Sequence, residues 1–254
     1  MQLKHLALTG FACVVSLPQA IAKPPDVTFL CDKTPEICSN MCYAVRCAKP
    51  RFAQTLTFDF PDKETTQKRI NAAGCGSCNK CTENGRGMVG HRGAPNDTCF
   101  AYPFASTKEA EGGHQVSRCV PASEKKSADD EIADLEKKWK EEGKTTFRIN
   151  FGNPGGVKYC SNDPCDNDGF EVQDGEVGDD DKPMFKYYKA RSGMVVGSMD
   201  MVEKATEFTR RVADDESLAE DFKSWMEDGA NGPVRMVVDT VMHELPWDLF
   251  SSHV

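Results

Sequence analysis

Asp97, Glu109, Glu111, His114 and Glu124 crowd one stretch of this chain. Carboxylates and imidazole accept a proton from water near neutral pH, and carboxylates also hold divalent cations. Such a set suits metal-assisted hydrolysis: a base activates water while a cation balances the charge building on the substrate. Glu124 is the best single candidate, as catalytic residue and as metal ligand, with Glu109 and His114 as alternatives for catalysis. Each acid also has a plainer reading. Asp97 belongs to the Asn96-Asp97-Thr98 glycosylation sequon, Glu109 and Glu111 to a solvated turn, and His114 to a strand flank. The block between them, Cys99-Phe100-Ala101-Tyr102-Pro103-Phe104-Ala105, offers no acid at all.

Nearby patterns supply the elements that must position these groups. Thr34-Pro35-Glu36 reads as a helix start, a hydroxyl followed by proline in the first turn. Residues 55–60 alternate as a strand, and a helix follows that ends near Gly74. Residues 75–98 form a long loop held by cysteines. Residues 99–105 and 115–121 read as two strands, with Pro103 at an edge or bend. A helix over 123–143 follows, capped by Ser123 or Ser127, with Ile132, Leu135 and Trp139 on one face and Gly143 at its end. Residues 145–151 alternate as a strand, and Val157–Cys160 reads as a last short one.

The first 22 residues have a weakly positive start, a short apolar run and Ala20-Ile21-Ala22, which is the pattern of a cleaved signal peptide. No later window is apolar for long enough to span a bilayer, so a secreted, extracellular protein is expected. Eleven cysteines follow residue 22, all before residue 166, and in an oxidising compartment they pair as disulfides. An odd count leaves one over. Cys75, Cys78 and Cys81 with His91 would instead suit zinc, but export favours disulfides. Charge divides the chain at the same place: residues 23–165 hold 21 Lys/Arg and 19 Asp/Glu, whereas residues 166–254 hold 9 and 21. The second part repels polyanions; the first tolerates one beside a local basic patch. Residues 166–181 are acidic and nearly free of large apolar side chains, as in a linker. Met201, Ala205, Phe208 and Val212 share a helical face, as do Leu218, Phe222 and Trp225, so the tail reads as amphipathic helices.

The cysteine spacing and the blocks "KTPEICSNMCYAVRC", "LTFDFPD", "AAGCGSCNKC", "YPFASTKEAEGGHQVSRCVP" and "INFGNPGGVKYC" together resemble the fungal branch of the NucA/NucB deoxyribonuclease family, from about Val27 to Cys165. The resemblance implies a secreted, metal-dependent nuclease with a ββα-metal-like core. It also implies that Cys31, Cys38, Cys42, Cys47, Cys75, Cys81, Cys99, Cys119, Cys160 and Cys165 pair, leaving Cys78 over, because related sequences lack a cysteine there. The family's central motif carries Asp-Glu where this chain has Phe100-Ala101. Downstream, the family's Asn and Gln are replaced by Lys125 and Ala128, while Glu124 is kept. Losing a general base costs about 10²–10⁴-fold in rate.

The expected fold is therefore α+β: a signal peptide at 1–22, a small disulfide-rich NucA/NucB-like domain at 23–165, an acidic linker at 166–190 and a helical C-terminal extension at 191–254. The expected function is that of a secreted nuclease-like protein that is catalytically impaired or inactive and acts by binding a protein or polyanion partner. The alternative is an active endonuclease that uses displaced acids, with DNA as substrate and Mg²⁺ or Mn²⁺ as cofactor. A third reading is a structural protein assembled through its tail.

Overall fold

The computed structural model describes residues 27–77, 79, 81, 88–89, 95–162, 164–168, 170–172, 185–199, 202–212, 216–229 and 232–246. The expected signal peptide, Cys78 and His91 lie outside these residues.

Strand β1 (Val27–Leu30) leads into helix α1 (Pro35–Arg46), which is buried along its whole length. Pro35 opens the helix, and Glu36 and Arg46 suit the dipole at its two ends. The Thr34 hydroxyl donates to the Leu30 carbonyl at 3.1 Å rather than capping α1. After β2 (Thr55–Thr57), helix α2 (Lys63–Ala72) is capped by Asp62, whose carboxylate accepts the Thr65 N–H at 2.7 Å. Two short strands, β3 (Met88–Val89) and β4 (Pro95–Asn96), pair with each other. Strands β5 (Thr98–Tyr102) and β6 (Val116–Val120) form an antiparallel pair, with a 3₁₀ turn at Lys108–Gly113 between them. Helix α3 (Ala122–Glu142) follows at once and buries Ala128, Ile132, Leu135 and Trp139 at helical spacing. Gly143 ends it at φ +66°, and Pro121 rather than a serine takes the N-cap position.

Strand β7 (Thr146–Gly152) is buried from Phe147 onward, as befits a strand covered on both faces. It pairs in parallel with β1, and antiparallel with β2 and β9 (Val195–Ser198). The sheet continues through β8 (Lys186–Ala190) and β12 (Gly232–Leu245) to β10 (Glu207–Arg211), with β11 (Ser224–Gly229) also paired to β12.

This topology corrects the reading of the second half. The expected helical extension over 191–254 is built of strands in its described part, and β8 falls inside the expected linker over 166–190. Apolar residues at i, i+4 and i+7 fit more than one period when they are sparse. In β12 the buried residues are Val237, Asp239 and Val241, a period of two, in a run rich in β-branched side chains. A further correction is local: residues 157–160 form a turn, not a strand, with Tyr159 at φ +63°.

Among the described residues ten cysteines form five disulfides: Cys31–Cys38, Cys42–Cys160, Cys47–Cys165, Cys75–Cys99 and Cys81–Cys119. Two of these tie α1 to the chain after β7, across 118 residues each. A loop of that length loses on the order of 4–5 kcal/mol of unfolded-state entropy when closed, in the chain-entropy account. Cys75 and Cys81 are thus taken by Cys99 and Cys119, which removes two thiolates from the zinc arrangement.

Candidate active site

The β5–β6 pair and the start of α3 make a strand–strand–helix unit packed on α1. Register places Phe100 opposite Arg118, and Ala101 opposite Ser117. Phe100 is 4% exposed, and its ring meets Phe104 edge-on at 6.1 Å. Burying that ring contributes about 2 kcal/mol. The neighbouring Ala101 is half-buried.

Glu124 sits in the first turn of α3, facing the N-terminus of α1. One of its oxygens, Oε2, accepts the backbone N–H groups of Glu36 at 2.9 Å and Ile37 at 3.2 Å. It therefore supplies the anionic cap that Thr34 does not, where the helix dipole favours negative charge. Lys125 pairs with Asp129 one turn along, and Ala128 is fully buried.

The other sequence-level candidates lie elsewhere. Glu109 accepts the Thr57 N–H at 2.9 Å and so fastens the 3₁₀ turn to β2. His114 is exposed and precedes β6, whereas Glu124 follows it. A five-residue strand between them spans roughly 17 Å, so the two cannot share one reacting atom. Asp97 is exposed beside Thr98. Asn96 is 5% exposed, with its Oδ1 unpartnered.

Instead, the fold gathers residues that no sequence pattern groups. The Arg118 guanidinium is buried and donates to Glu36 (Nε–Oε2 2.8 Å) and to Glu171 (Nη1–Oε1 2.8 Å), with Asp168 at 3.6 Å. Asn40 donates to the other Glu171 oxygen at 3.0 Å, and the Phe170 ring lies 5.2 Å from the guanidinium carbon. A backbone bridge between Ser117 and Val172 holds this segment against β6. Sequence reasoning missed all three principal members. Glu36 reads as a helix start, Glu171 as part of a solvated linker, and Arg118 as one letter of a family block. The available signal was Arg118 itself, a lone charge on an otherwise apolar strand face.

Asp168 also pairs with Lys158 at 3.4 Å, so Arg118 is left to serve the two buried carboxylates, Glu36 and Glu171, and one positive charge does not offset two negative ones. Burial pushes the Glu171 carboxyl up to about 7, only partly offset by Arg118 and by the Asn40 hydrogen bond. The folded chain thus keeps a proton on Glu171 to about pH 7, whereas the unfolded chain releases it near 4.5. The resulting stabilisation is complete below the lower value and lost as pH rises through the upper one. Urea unfolding from pH 5 to 7.5 should show stability falling by about 1–3 kcal/mol. Glu171→Gln should flatten that slope; an unchanged slope would assign the proton elsewhere.

With this geometry in view, comparison with known proteins gives one match. Residues 41–150 match the family model of deoxyribonuclease NucA/NucB. No curated protein and no solved structure gives a match. The matched segment spans the second half of α1, the β5–β6 pair, α3 and most of β7, so Phe100, Arg118 and Glu124 lie inside it. Glu36 and Glu171, which hold Arg118, lie outside it, one before and one after.

A divalent cation does not fit the residues present at the NucA/NucB motif. Positions 100 and 101 offer no side-chain donor, one Glu124 oxygen is engaged by α1, and the buried carboxylates of Glu36 and Glu171 are bound to Arg118. Among the described residues no three His, Cys, Asp or Glu side chains are arranged to hold a metal ion. The domain is consistent with DNA as a substrate class, and the five disulfides suit an oxidising compartment. No helix among the described residues is long and apolar enough to cross a membrane.

Proposed function

We propose that this protein is an exported NucA/NucB-fold protein that does not hydrolyse DNA and acts by binding. One observation carries the reading: the residue at the central motif position, Phe100, is core packing opposite an Arg118 already satisfied by carboxylates. Hydrolysis needs a group to deprotonate water and a place for developing phosphate charge. Here the space is filled by a ring, and the local cation is consumed internally. Fold ancestry alone does not supply activity, because function resides in the site.

The test is plasmid digestion by the purified mature chain with Mg²⁺ or Mn²⁺, beside Phe100→Asp/Ala101→Glu. Wild type should leave supercoiled plasmid intact. Cleavage in the double variant alone would assign the loss to those two positions. Metal-stimulated cleavage by wild type that chelation stops and Glu124→Ala abolishes would overturn the proposal in favour of displaced acids.

A further inference from the structure

A cleft of about 710 Å³ lies between α3 and the C-terminal strands β10, β11 and β12, away from the motif. Its size is that of a site for a drug-sized ligand or a short peptide stretch. The floor is apolar, with Leu135 and Trp139 from α3 facing Phe208, Met236 and Val238 from the strands. The walls are charged, and much of that charge is already paired. Asp134 binds Arg211, Lys138 binds Glu227 at 3.0 Å, and Glu142 binds Lys144. The first two pairs also join α3 to β10 and β11.

Four lining carboxylates have no ion pair or hydrogen bond among the described residues: Glu131, Glu141, Glu207 and Asp228. Against them stands one lysine in the same condition, Lys137. Glu141, Glu207 and Asp228 are exposed at the rim, and Glu131 is half-buried within. Burial pushes Glu131 up to about 7; Arg211 lowers it in part, while Asp134 and Asp130 raise it further. The cleft thus carries negative potential that its own cations leave uncompensated.

We infer that this cleft binds a lysine- or arginine-rich segment of a partner protein. Such side chains match both parts of the cleft, since their methylene stems cover apolar surface while their charged heads reach a rim of acids. The chain already shows the interaction internally: the Lys144 ammonium lies 5.0 Å from the Trp139 ring centroid. Residues 166–254, which supply the strand wall, carry 21 acids against 9 basic residues, so the surrounding field steers cations inward and repels nucleic acid. This gives the proposed binding role its partner chemistry. It uses a surface separate from the nuclease motif, so plasmid digestion and peptide titration succeed or fail independently.

The probe is fluorescein-labelled decalysine, titrated with the full mature chain by anisotropy, with decaglutamate and a single-stranded oligonucleotide as controls. Decalysine alone should bind, and more weakly as salt rises. The groove triple Glu131→Gln/Glu207→Gln/Asp228→Asn should weaken it by about tenfold or more. A triple that removes at least as much charge at exposed acids outside the cleft, Glu64→Gln/Glu220→Gln/Glu244→Gln, should weaken it by less than about threefold. Reversal at the exposed rim alone, Glu207→Lys/Asp228→Lys, gives the same reading without touching half-buried Glu131. Equal losses in the two triples, or no decalysine binding, would overturn the inference.

Discussion

Arg118→Met is expected to destabilise the protein by about 3–5 kcal/mol at pH 7.5, the usual cost of removing one partner from a buried ion pair. Methionine restores much of the volume but leaves Glu36 and Glu171, with side-chain exposures of 3% and 0%, without their cation. Asp168 and the Phe170 ring lose the same guanidinium. The cost should shrink toward pH 5, where Glu171 is already neutral. Adding Glu171→Gln to Arg118→Met should recover part of the loss at pH 7.5, because one stranded charge is gone. Urea midpoints of the two single variants and the double give the coupling directly. A loss below about 1 kcal/mol for Arg118→Met would show that the network is solvated rather than buried.

Ending the chain at Val172 is expected to cost on the order of 5 kcal/mol, comparable to the whole stability of many domains. The shortened chain keeps all five disulfides and the whole NucA/NucB match. What it loses is one flank of the central sheet. Phe151 is fully buried and meets Phe185 edge-on at 5.6 Å. Tyr187 donates to the Cys160 carbonyl at 2.6 Å, and Phe185 N–H donates to Asn162 at 2.8 Å. Arg148 donates to Ser198 at 2.8 Å, and Met199 N–H to Gln54 at 2.8 Å. Each is a contact between the retained part of the chain and the removed tail. Thermal unfolding of the truncated chain should begin far lower and lose cooperativity; a transition as sharp and as high as that of the full chain would make the tail a separable appendage.

The sequence by itself determined the first half. Proline at a helix start, Gly143 at a helix end and the 3–4 spacing of Ile132, Leu135 and Trp139 are local signals, and the elements they predict sit within a residue or two of those observed. That positions 100 and 101 carry no acid was equally plain, because it is a property of the sequence alone. The tail was not legible. Sparse apolar residues fit two periods, and the choice between them depended on an open sheet edge at β9 and β8 that no local window reveals. The site was not legible either. Glu36, Arg118 and Glu171 are separated by 82 and 53 residues, and only packing of α1 and the post-Cys165 segment on β6 makes them neighbours. Glu124 shows the same limit from the other side: its identity suggested a metal ligand, while its position at the N-terminus of α1 gave it two backbone N–H groups to bind. Residue type fixes which chemistry a side chain can do; the partners within about 3 Å, which only the tertiary structure supplies, decide which of those options is left.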